Sequence, residues 1–123
     1  MTPRLLYAQH IYAIETKKEA AALKTEADFA YAFANNKKEL AKEKIKLSNS
    51  LFEEAKNIPN PAEKSQKNNQ AQQIQSEADK YSKEAVVALN IAENLEKSYE
   101  LKMNEADLAL KYANDLENAV KSN

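Results

Sequence analysis

Taken in steps of seven, the chain returns to one residue type. Positions 6, 13, 20, 27, 34, 41, 48 and 55 hold Leu6, then five Ala, then Ser48 and Ala55. Positions 71, 78, 85, 92, 99, 106, 113 and 120 hold Ala everywhere except Tyr99 and Val120. A sustained heptad of one residue type marks a seam between helices. Side chains this small let the two backbones come close.

Between the two columns lies the strongest break, "NIPNPAEK" at 57–64. Pro59 pushes Ile58 out of the helical region. Asn60 is a good N-cap, Pro61 suits the first helical position, and Glu63 completes a capping-box spacing. One helix therefore ends near Asn57 and the next starts at Pro61. At the front, Thr2 before Pro3 gives a helix start by the same logic. The expected domain is a single helical one over 1–123, with helix about 3–57, turn 58–60 and helix about 61–121. Helices of that length would each run roughly 80–90 Å.

The two columns match in register. Facing residues of an antiparallel hairpin have residue numbers with a constant total. A total of 119 pairs Ala41 with Ala78, Ala34 with Ala85, Ala27 with Ala92 and Ala13 with Ala106. Its centre falls between Pro59 and Asn60, where turn chemistry independently places the bend. The fold class is therefore all-α: a long antiparallel helical hairpin, an Ala-rich coiled coil. Weaker breaks at Asn35-Asn36, at "LSNSLFEE" with Ser50 and Glu53, and at the polar run 66–73 keep a three- or four-helix bundle as the alternative.

The middle of the hairpin is unusual. "ADFAYAFA" at 27–34 falls opposite "AVVALNIA" at 85–92. Phe29, Tyr31, Phe33, Val86, Val87, Leu89 and Ile91 outnumber what one seam can cover. A helix that is apolar all round is normally buried all round. These seven residues are the candidate interaction site. The expected occupant is a protein partner, a second copy, or this chain folded back near Asn35-Asn36.

Composition sharpens the class. With no Gly and no Cys in 123 residues, glycine-rich phosphate loops, disulfides and thiol chemistry are out of reach. Ala, Lys, Glu and Leu are strong helix formers. Formal net charge is −1, so no gross electrostatic partner is implied. Residues 1–59 carry ten Lys/Arg against eight Asp/Glu, and residues 60–123 carry eight against eleven. The column Lys17, Lys24, Lys38 is expected to lie near the column Asp79, Glu93, Glu100, and His10 near Asp107. Tyr7 and Tyr112 are expected to stack at the open end.

Little in the chain suggests chemistry. His10 is the only His, so a di-metal site built on repeated Glu-x-x-His cannot form. Glu15, Glu19, Glu26 and Asp28 could in principle bind a hard cation, but interleaved Lys makes them a solvated face. Of the serines, only Ser122 comes near His10 by register, and no third member completes a triad. No catalytic residue, cofactor site or metal site is expected, and the chain is read as no enzyme. The start, "MTPRLLYAQHIYAIETKK", has no unbroken apolar core of a signal peptide, and no run of 18 apolar residues exists. The favoured role is a structural or protein–protein interaction module, a spacer or docking hairpin. The alternative is nucleic-acid or anionic-surface binding through "KKELAKEKIK" at 37–46, which carries five Lys and two Glu.

Overall fold

The computed structural model describes residues 3–122. It is an all-α helical hairpin in which α1 (Pro3–Lys56) and α2 (Pro61–Ser122) pack against each other. The chain divides into two compact units. One, the terminal unit, comprises Met1–Phe29 with Ile91–Asn123; the other, the turn unit, comprises Ala30–Asn90.

The turn unit carries the bend. Asn57 N–H donates to Glu54 O and Ile58 N–H to Ala55 O, each at 3.2 Å, tightening the end of α1. Asn60 Oδ1 accepts from the amides of Ala62 at 2.9 Å and Glu63 at 3.2 Å. Those donors would otherwise be orphans of the first helical turn. Asn60 O accepts from Lys64 N–H at 2.9 Å, so α2 is fully wound from its first turn. The corresponding cap at Thr2 lies outside the described residues.

The weaker breaks do not break. Helix α1 runs unbroken through Asn35-Asn36 and through Ser50, and α2 runs unbroken through 66–73. The chain does not fold back near Asn35-Asn36. Asn disfavours a helix by only about 0.7 kcal/mol relative to Ala. Without Pro or Gly nearby, the winding continues through it.

Both units bury small residues. In the turn unit the buried set is Ala34, Ala41, Ser48, Ala55, Ala71, Ala78, Ala85 and Ala88. In the terminal unit it is Ala13, Thr16, Ala20, Ala27, Ala92, Ala106, Ala109 and Ala113. Apart from Thr16, Ala88 and Ala109, each stands in one of the two heptad columns. Ser48 decides the register. Its hydroxyl donates to the carbonyl of Ala71 on the opposite helix at 2.9 Å, and 48 and 71 total 119. A side chain as short as serine reaches the opposing backbone only where the helices nearly touch. Thr16 instead satisfies its hydroxyl within its own helix, donating to Tyr12 O at 2.8 Å.

The register gives a direct expectation. Cysteines replacing Ala34 and Ala85 crosslink readily on mild oxidation, and so do cysteines replacing Ala41 and Ala78. A disulfide tolerates Cα separations of only about 4.4–6.8 Å. Cysteines at 34 and 78, one heptad out of register, stay reduced. Gel mobility under non-reducing conditions reads both outcomes.

Candidate interaction surface

The seven apolar residues singled out above divide between the units. Phe29 and Ile91 belong to the terminal unit, where they are 71% and 50% exposed. Tyr31, Phe33, Val86, Val87 and Leu89 belong to the turn unit. Phe33, Val86 and Val87 are 52%, 59% and 58% exposed there, while Tyr31 and Leu89 are half-buried. The cause is angular. Phe29 stands two residues after the seam residue Ala27, and Val86 and Val87 stand one and two after Ala85. Successive helical residues step round by about 100°, so these side chains leave the seam.

The pattern holds along both helices. Among the described residues no Leu, Ile, Val, Phe or Tyr is buried. The largest fully buried side chain is that of Ser48. Leu101 and Leu108, 70% and 68% exposed in the terminal unit, were not among the candidate residues. Their signal is present in the chain, since they continue the heptad column of Val87. Tyr7 and Tyr112, expected to stack, both have exposed rings.

Charge organises the surface differently from the expected columns. In the turn unit Lys37 pairs with Glu84 at 3.0 Å, Lys44 with Glu77 at 3.0 Å and Lys67 with Glu54 at 3.2 Å. In the terminal unit Lys102 pairs with Glu19 at 3.1 Å. Each pair's residue numbers total 121. These lysines lie beside the seam, with half-buried side chains that carry the ammonium out to a carboxylate on the other helix. Lys24, expected to meet the Glu93 column, instead pairs with Asp28 in its own helix at 3.4 Å and sits 5.8 Å from the Tyr99 ring. His10 lies 3.6 Å from Glu117 rather than beside Asp107. Among the described residues the expected columns form no ion pair across the seam.

Lys37 has a further role. Its ammonium lies 5.1 Å from the Phe33 ring and 5.0 Å from the Tyr81 ring. Such contacts are worth about 0.5–1 kcal/mol at exposed sites. They hold one side of the Phe33 ring and leave the rest open.

The terminal unit holds the most connected polar group. The Tyr12 hydroxyl donates to Glu105, and Lys102 reaches both Glu105 at 3.3 Å and Glu19. The bond to Glu105 raises the Tyr12 phenol above its ordinary pKa, and the same bond, then Lys102, lowers the Glu105 carboxyl. The Lys102 ammonium is raised, first by Glu19 and then by Glu105. In the turn unit the bond to Glu77 raises Lys44. Each shift favours the form that makes its contact.

The residues weighed as candidate chemistry are held in ordinary surface contacts. Glu19 is engaged by Lys102, and Asp28 by Lys24. Ser122 Oγ donates to Asn118 O at 2.9 Å, within its own helix. Among the described residues no group of three or more His, Cys, Asp or Glu is placed to hold a metal ion. Among them, too, no helix is long and apolar enough to cross a membrane. Comparison with protein-family models, with curated proteins and with solved structures finds no match.

Proposed function

We propose that the chain is a non-catalytic docking module, a helical hairpin whose exposed apolar side chains are covered by another protein surface. The observation that carries this reading is the distribution of apolar residues. Among the described residues the buried positions are Ala, Ser and Thr, and the large apolar side chains are half-buried or exposed. Covering a Leu, Ile, Val or Phe is worth roughly 1.5–3 kcal/mol. Single exposed apolar residues are ordinary. Phe29, Phe33, Val86, Val87, Leu101 and Leu108 are each more than half exposed, so a substantial part of the chain's hydrophobic stabilisation is still unused.

The basic stretch 37–46 supports a phosphate partner less well. Lys37, Lys42 and Lys44 are each held by a glutamate. An anionic partner would have to break those pairs first, and its binding would carry a steep salt dependence.

Replacing Phe33, Val86 and Val87 together by Ser tests the docking reading. Light scattering is expected to show wild-type association that weakens by about tenfold or more in the variant. Helix content by circular dichroism stays close to wild type, because none of the three lies in the seam. A wild type that is monomeric at high concentration, and whose solubility and stability ignore all three changes, overturns the reading. The hairpin is then a rigid spacer.

A further inference from the structure

We infer that one occupant of this surface is a second copy of the chain, docked on the face of the terminal unit that carries Lys17 and Lys24 on α1 and Glu93 and Glu100 on α2. The inference rests on the docking reading and names its partner. Its first support is what the hairpin leaves unpaired. Among the described residues, Lys17, Glu93 and Glu100 have no ion-pair partner within their own chain. Lys24 makes one ion pair, at 3.4 Å with Asp28, and lies 5.8 Å from the Tyr99 ring, with its side chain 46% exposed. Yet these four charges are matched in spacing. Lys17 and Lys24 are one heptad apart on α1, and Glu93 and Glu100 are one heptad apart on α2. Lys17 with Glu100 and Lys24 with Glu93 give the same total, so the two columns run antiparallel in step.

The apolar residues flanking the charges towards the open end keep the same step. Ile14 falls level with Met103, and Tyr7 with Leu110, on that total. Ile14, Leu110 and Tyr7 are exposed, and Met103 is half-buried. Each helix therefore presents an order of apolar and charged positions that the other complements. The turn unit repeats the rule in the same columns: Tyr31 then Lys38 on α1, Val86 then Asp79 on α2.

Within one hairpin these columns do not pair, and the ion pairs beside the Ala seam are instead those at 121. A two-fold axis parallel to the helices of the terminal unit brings them together between copies. It lays α1 of one copy over α2 of the other, antiparallel and at matching levels. The symmetry satisfies every complement twice, as an isologous interface requires. A foreign partner would have to supply this pattern, whereas the chain already carries both halves. Net charge of −1 sets up no general repulsion between copies.

The test uses two charge-reversed chains, K17E/K24E and E93K/E100K, in analytical ultracentrifugation at low salt. Wild type is expected to sediment as a dimer of the 13.9 kDa chain. Each variant alone faces like charges at both halves of the interface, and its dimer dissociates by a factor of about thirty or more. An equimolar mixture restores the dimer as a one-to-one heterodimer. There, one half of the interface pairs swapped charges and the other pairs native ones. A change confined to each hairpin's own stability would not respond to mixing. A monomeric wild type, or folded variants that stay monomeric when mixed, overturns the inference. A dimer untouched by charge reversal but dissociated by the Phe33, Val86 and Val87 replacements overturns this interface while the docking reading stands.

Discussion

Replacing Ala85 with Leu is expected to destabilise the protein by about 3 kcal/mol, the upper end of what overpacking usually costs. Two effects oppose each other at this site. Burying a Leu side chain is worth roughly 1.5–3 kcal/mol, and in most coiled coils a Leu at the seam is what holds the helices together. Here the available space decides the sign. Ala85 and the facing Ala34 are 1% and 2% exposed. In the same unit the Ser48 hydroxyl touches the opposite backbone at 2.9 Å. Side chains little longer than a methyl group already bridge the gap. Leu adds three carbons with no void to receive them, so the helices must part. Parting them loosens Ala78 and Ala92 one heptad away on either side, and that loss exceeds the local gain. Urea denaturation followed by circular dichroism measures the effect. Val86→Leu, one residue along and exposed, should stay within about 0.5 kcal/mol of wild type. A gain in stability from Ala85→Leu would mean that the helices stand at ordinary coiled-coil distance.

That seam is legible in the chain because it repeats. Each Ala in the columns is uninformative alone, and twelve Ala among sixteen heptad positions, with Ser48 beside them, are not. The turn is legible for a different reason. Pro59, Asn60 and Pro61 act on their own backbone, so their effect needs no knowledge of what packs nearby. The exposure of Phe29, Phe33, Val86, Val87 and Ile91 follows from their angular offset from the Ala columns, which is again a matter of counting. Leu101 and Leu108 were available by the same count along the column of Val87. The ion pairs are less accessible. Which glutamate a lysine meets depends on the reach of a long side chain across a particular groove. Lys37 and Lys44 stand three residues after a seam Ala and Lys17 and Lys24 four, similar offsets to opposite sides, and only the first two reach a glutamate on the other helix. The interhelical charge match of Lys17 and Lys24 with Glu100 and Glu93 is real as a pattern. The hairpin does not use it, and for that reason it points outward to a second copy.

The Asn35-Asn36 pair marks the point where local propensity misleads, and a single substitution separates the two fates of that segment. Replacing Asn36 with Pro is expected to cost about 3 kcal/mol or more. The proline removes the bond from the residue 36 amide to the residue 32 carbonyl, and its ring collides with that carbonyl. It also drives Asn35 away from helical geometry. Helix α1 then kinks inside the turn unit, where Ala34 and Ala41 need an unbroken surface to lie against α2. Replacing the same residue with Ala should do the opposite. Ala is the better helix former by a few tenths of a kcal/mol, and Asn36 is exposed, so nothing else changes. Opposite signs are thus expected from two changes at one position. Were the pair a turn, the order would reverse. Pro would be tolerated or even stabilising through a stiffer unfolded chain, and Ala would remove a residue suited to the bend. Chemical denaturation of the two variants beside wild type distinguishes these outcomes. A Pro variant as stable as wild type would mean that α1 is two helices, and that the chain can fold back to cover its own Phe29 and Phe33.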